Sequence, residues 1–70
     1  MFLKQHEVVS NNVHILRKSH KLTQEELGRL VGVTRQTIIA IEKGNYVPSV
    51  LLAIKLAQIL GRKVEEIFSI

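Results

Sequence analysis

The sequence has no cysteine, no tryptophan and no aspartate, a single proline, and only one tyrosine and two phenylalanines. Without cysteine, neither a disulfide frame nor a thiolate zinc site can hold the chain together. With aromatics at 4%, the core must be built from Ile, Leu, Val and Ala, a mixture that suits small helices better than a β-sandwich. No apolar run approaches the roughly 18 residues of a membrane span, and Met1 to Val9 lacks the apolar centre of a secretory leader. A cytoplasmic protein without a membrane partner is the simple expectation. Catalysis is poorly served as well. His6, His14 and His20 are the only histidines, and the spacing of the last two puts them on separate helix faces. No Gly-rich phosphate loop or HExxH is present, so no enzyme, metal or cofactor is expected.

What the chain does have is aliphatic bulk and positive charge. Apolar residues are 46% of its 70 residues, enough for one packed domain and too many for a disordered segment. Chains this short have a thin stability margin and often gain from a partner subunit, which makes self-association the first candidate. Ten Lys and Arg against six Glu give a net +4 and a pI near 9.9. That balance suits a polyanion, although charge alone does not imply sequence recognition.

The pattern reads as five helices. Residues 1–10, MFLKQHEVVS, form an extension that could be an edge strand or a tail over the core. The first helix is expected from Asn11 or Asn12, both good N-cap residues, to about Ser19, with Val9, Val13 and Leu16 inward. Thr23 and Glu26 have the spacing of a capping box. The second helix then buries Leu27, Leu30 and Val31 and stops at Gly32, which tolerates the left-handed conformation of a C′ residue. Thr34 caps the third helix almost at once. There Ile38 and Ile41 define the inward side, with Glu42 close to it. Gln36, Ala40 and Lys43 fall opposite, and Arg35 and Ile39 flank them. Gly44 ends this helix. Pro48 and the cap Ser49 lead into a fourth, VLLAIKLAQIL, whose core stripe is expected to be Val50, Ala53, Leu56, Ala57 and Leu60. A short last helix follows Gly61, with Val64, Ile67 and Phe68 at i, i+3 and i+4.

Gly28 stands inside the second helix, where glycine costs about 1 kcal/mol relative to alanine. A missing side chain there lets the next helix cross closely. With Gly32 in the turn and a polar outer face beyond it, residues 23–43 have the form of a helix-turn-helix unit rather than an ordinary αα-hairpin. The stretch TQEELGRLVGVTRQTIIAIEKGNYVPSVLLAIKLAQILGRKVEEIF resembles the Cro/repressor-like (XRE) family of helix-turn-helix regulators, over almost all the chain after Asn11. It is especially similar to the compact type of the cytolysin repressor of enterococci. Gln24 opens the second helix, small residues fall at 28 and 32, RQT opens the third, and a Pro-Ser-capped apolar helix follows IEKG. The departures are Gly28, where the family usually has Ala, and the leading extension.

The resemblance implies an all-α, five-helix, lambda-repressor-like DNA-binding domain over residues 11–70, with room for a short β-ribbon formed by the two termini. It also implies a structural ion pair between Arg17 and Glu42. An α-helix fits the major groove, where Arg35 could pair with guanine, Gln36 with adenine, and Ile39 touch a thymine methyl. Ala40 keeps that face low enough for close approach. Gln24, at the first turn of the second helix, is the expected phosphate anchor. Thr34, Thr37, Lys43, Asn45 and Tyr46 join it on the DNA backbone, fixing register without reading sequence. A homodimer on a palindromic operator in double-stranded DNA would bring two such helices together, through an interface of Leu51, Ile54, Ile59, Phe68 and Ile70. The alternative is a protein-interaction module, such as an antitoxin, using the same fold to hold a protein partner.

Overall fold

The computed structural model describes residues 9–70. The expected N-terminal strand falls mostly on residues 1–8, outside the described residues. The elements are β1 (Ser10–Asn11), α1 (Val13–Ser19), α2 (Gln24–Val31), α3 (Arg35–Glu42), α4 (Val50–Leu60), α5 (Val64–Ile67) and β2 (Phe68–Ser69). The fold is therefore five helices with one small antiparallel ribbon, in which Ser10 pairs with Ser69 and Asn11 with Phe68.

Local chemistry accounts for most helix ends. Thr23 and Glu26 form the full capping box: Thr23 Oγ1 accepts from the Glu26 amide at 3.0 Å, and Glu26 Oε1 accepts from the Thr23 amide at 2.8 Å. Thr34 accepts from the Thr37 amide and Ser49 from the Leu52 amide. Gly32 and Gly61 take left-handed conformations that end α2 and α4. The start of α1 differs from expectation. Asn12 is the N-cap residue but makes no side-chain cap; Asn11, one residue earlier, accepts from the Val13 amide instead. The Asn12 amide is committed to the Ile67 carbonyl at 2.9 Å, and its side chain to Glu66. The ribbon and these bonds fasten the beginning of α1 to α5.

One aliphatic core runs through all five helices: Val13, Leu27, Val31, Ile38, Ile41, Leu52, Leu56, Leu60 and Ile67. Three expectations need correction. Leu30 is exposed, because α3 crosses α2 over Gly28 and turns the buried face toward Leu27, Gly28 and Val31. At about 100° per residue, Leu30 lies roughly 100° off that face. In α4 the inward stripe is Leu52, Ala53, Leu56 and Leu60, so Leu52 is buried and Val50 stands in solvent. Phe68 leaves the last helix and enters β2, where pairing with Asn11 draws the backbone out straight.

The α2–α3 turn is as close as the sequence suggested. A Cβ placed on Gly28 would lie 2.8 Å from the Val33 carbonyl oxygen and 3.2 Å from that of Thr34. The Gly28 carbonyl in turn accepts from the Val33 amide at 2.8 Å. A bare backbone at 28 thus sets how tightly α3 follows α2.

Candidate nucleic-acid interface

Glu42, the last residue of α3, joins three helices. Its Oε2 accepts from Arg17 Nε at 2.6 Å, and its Oε1 lies 3.2 Å from Arg17 Nη2. The same Oε1 accepts from Gln24 Nε2 at 3.1 Å and lies 3.1 Å from His14 Nδ1. Both charged side chains are almost out of water, at 7% and 6% exposure for Arg17 and Glu42. Arg17 also donates Nη1 to the Leu22 carbonyl at 2.8 Å, which fixes the α1–α2 turn. Burial works against the Glu42 carboxylate and is the largest single influence on it. Hydrogen bonds from Arg17, Gln24 and His14, together with the Arg17 charge, outweigh it and hold the carboxyl below its ordinary value. A buried pair with its remaining donors satisfied is what such a frame requires.

This frame sets the attitude of α3. Arg35 and Gln36, in its first turn, are exposed, and Lys43 beyond its end is exposed as well. Thr37, Ala40 and Ile39 are half-buried, so Ile39 is less open than the wheel suggested. Thr34 Oγ1 lies 3.2 Å from Thr37 Oγ1, a hydroxyl pair at the helix entrance. Asn45 and Tyr46 are exposed in the loop after Gly44. Asn11 donates Nδ2 to the Ile41 carbonyl at 2.8 Å and steadies the other end of α3.

Gln24, expected to hold a phosphate, also belongs to the Glu42 cluster. Its amide is bound to Glu42, yet the residue is only half-buried and lines an open depression with His14, Arg17, Thr23, Glu25 and Arg35. The depression lies beside the exposed start of α3 and is rich in hydrogen-bond donors. A second one, lined by Glu25, Arg29, Val33, Thr34, Arg35 and Gln36, continues along the α2–α3 turn.

The residues expected at a dimer interface are not all alike. Leu51, Ile54 and Ile70 are exposed, while Ile59 and Phe68 are half-buried and packed against the core of their own chain. Val47 and Val50 extend the open apolar surface beside Leu51 and Ile54, and the sequence reading had placed Val50 inside. His14 was also missed as a member of the Glu42 cluster. Its signal was its position three residues before Arg17, the separation that puts two side chains on one helix face.

Among the described residues, no three of His, Asp and Glu converge as a metal site would need, and no helix is long and apolar enough to cross a membrane.

The Helix-turn-helix family model matches residues 13–67. The chain is 53% identical over 60 residues to the uncharacterized HTH-type transcriptional regulator MJ0272 of Methanocaldococcus jannaschii, covering 86% of this chain and 91% of that one. It is 52% identical over 60 residues to the uncharacterized HTH-type transcriptional regulator YgzD of Bacillus subtilis, with the same coverage. Among solved structures, the restriction-modification controller protein C.AhdI from Aeromonas hydrophila superposes with a TM-score of 0.71 at 31% identity, over 77% of this chain and 82% of that one.

Proposed function

Because the chain belongs to the helix-turn-helix family, in its Cro/repressor-like (XRE) group of DNA-binding transcriptional regulators, we propose that it is a dimeric, sequence-specific repressor that reads the major groove with α3. The observation that carries this reading is the exposed pair Arg35 and Gln36 at the start of α3, beside the α2 amino end. An Arg can donate two parallel bonds to guanine O6 and N7, and a Gln can pair with adenine N6 and N7. Ile39 and Ala40, half-buried behind them, give a low face that meets bases by contact. Gln24, Thr34, Thr37, Lys43, Asn45 and Tyr46 flank this face and hold the phosphates on either side.

Symmetry supplies the rest of the specificity. One recognition helix spans only a few base pairs, whereas a two-fold dimer reads half-sites about 34 Å apart. The open apolar surface of Leu51, Ile54 and Val50 supports such a pairing, with Ile59, Phe68 and Ile70 at its edge. A dimer seated on promoter DNA in the cytoplasm represses by occlusion, and protein concentration sets occupancy.

Selection of bound sites from random duplex DNA tests the proposal. A palindrome with fixed half-site spacing is expected. No enrichment at low ionic strength would remove the reading. The apolar α4 surface also suits the alternative reading, in which the chain is an antitoxin-type module and this surface holds a toxin as its protein partner. In that case, changing Leu51 should release the partner while DNA binding persists.

A further inference from the structure

We infer that Asn11, in β1, is a positioning residue for the phosphate grip: it holds the turn that presents Lys43 and Asn45, so that affinity for a duplex depends on a side chain in the terminal ribbon. The inference deepens the DNA-binding reading above and rests on it. Both polar atoms of this side chain are committed inside the protein. Nδ2 donates to the Ile41 carbonyl at 2.8 Å, and Oδ1 accepts from the Val13 amide at 3.1 Å. The Asn11 backbone is held as well, paired with Phe68 across the ribbon. A short side chain tied at both polar atoms and at its backbone has little freedom left, so the Ile41 oxygen meets a rigid donor.

That oxygen matters because of where the chain goes next. Three successive amides close the last carbonyls of α3: Lys43 bonds to Ile39 at 3.0 Å, Gly44 to Ile41 at 2.9 Å and Asn45 to Ala40 at 2.9 Å. Gly44 stands at φ +78°, the left-handed conformation that turns the chain out of the helix. A carbonyl oxygen has two lone pairs. On Ile41 the Gly44 amide takes one and Asn11 takes the other, so a single oxygen joins the ribbon to the turn. β1 runs alongside, and Val9, Ser10 and Asn11 line a depression with Glu42, Lys43 and Gly44.

The Glu42 tie acts differently. It fixes α3 against α1 and α2 through a side chain and leaves the backbone beyond Glu42 to the turn itself. Lys43 and Asn45 are exposed on either side of Gly44. A lysine on an ordered backbone loses less freedom on meeting a phosphate than one whose turn must be ordered on contact. Asn11 supplies that order before the duplex arrives.

The experiment uses the full chain with Asn11→Ser. Serine adds no charge and keeps an oxygen that can accept from an amide two residues on, but it is too short to reach Ile41. Binding to the palindromic duplex recovered by selection is measured over a salt series. The variant is expected to bind about tenfold more weakly. Its salt slope should be lower by about one unit although no charge has been removed. In a Lys43→Ala background the same substitution should add less than about twofold, whereas in a Gln36→Ala background its effect should persist in full. Unchanged affinity, or a loss that keeps the wild-type slope or adds fully to Lys43→Ala, overturns the inference and leaves the DNA-binding reading standing. Absence of binding by wild type at low ionic strength ends both. Hydrogen exchange gives a readout that needs no duplex. The Gly44 and Asn45 amides should exchange faster in Asn11→Ser by a larger factor than the core amides of Ile38 and Leu56. A uniform acceleration marks a loss of overall stability alone and overturns the assignment. If the serine variant does not fold, Asn11→Asp keeps the acceptor for Val13, removes the donor to Ile41 and is read by the same exchange.

Discussion

Helices α3 and α4 share one architecture and present opposite surfaces. Each turns a stripe of aliphatic side chains inward, Ile38 and Ile41 from α3 and Leu52, Ala53, Leu56 and Leu60 from α4. Outward, α3 shows Arg35 and Gln36, while α4 shows Val50, Leu51 and Ile54. The side chains of α3 are solvated at no cost and can exchange water for phosphate and base edges. The contiguous apolar side of α4 gains about 25 cal/mol for each Å² it covers. The two helices are also held differently. A buried carboxylate at the end of α3 ties it to α1 and α2, whereas α4 rests on packing, with its last turn bonded to His20. The contrast teaches that a chain of 70 residues can give one helix a fixed direction through a polar tie and leave the next with an open apolar face.

The largest effect should come from breaking the polar tie. Glu42→Ala leaves the Arg17 guanidinium buried without its anion, and urea denaturation should show a loss of about 3 kcal/mol. Replacing both partners, as Arg17→Met with Glu42→Leu, should cost clearly less. Equal losses would mean that the tie is not the frame. The same tie predicts acid sensitivity. The folded Glu42 carboxyl sits below its ordinary value, so its stabilisation is complete above the usual carboxylate range, about pH 4.3. It is lost as pH falls through the lower folded value. Urea midpoints from neutral to acidic pH should fall in wild type and much less in the double replacement.

On the other helix, Leu51→Glu should weaken self-association about a hundredfold, near 2.8 kcal/mol. Fold stability should change by less than about 0.5 kcal/mol. Sedimentation over a concentration series measures the first, and a strictly monomeric wild type at micromolar concentration would dissolve the comparison. Gln36→Ala should remove about 1–3 kcal/mol of discrimination at one base pair, with the salt dependence of binding nearly unchanged. Smallest is Lys43→Ala, which should weaken all sequences alike and lower the salt slope by about one unit. If Gln36→Ala and Lys43→Ala behave identically, readers and anchors are not distinct on the α3 surface.

Much of this could be read along the chain, because the signals were local. Thr23 with Glu26, Thr34, Ser49 and Gly32 each act within a few residues, so their spacing suffices to locate helix ends. The exposed positions of Arg35 and Gln36 followed from helical periodicity once Ile38 and Ile41 were taken as inward. The failures came where a helix met a neighbour. Leu30 and Val50 were assigned to the wrong sides because a short helix with apolar residues on several faces does not declare its rotation. For α2 the crossing at Gly28 chose it, and the stretched backbone of Phe68 depended on pairing with Asn11, far away in sequence. His14 was overlooked because its partner Glu42 lies 28 residues ahead.

The sequence by itself determined the number of helices, the caps of α2, α3 and α4, the tight turn at Gly28 and Gly32, and the polar amino end of α3, since each depends on contacts within one or two turns. Only the tertiary structure decided which aliphatic side chains remain in solvent on α4, and that one carboxylate gathers Arg17, Gln24 and His14 from two other helices. Rotation about a helix axis and the meeting of distant side chains are set by packing all five helices around one core, and periodicity within a single helix carries no information about that.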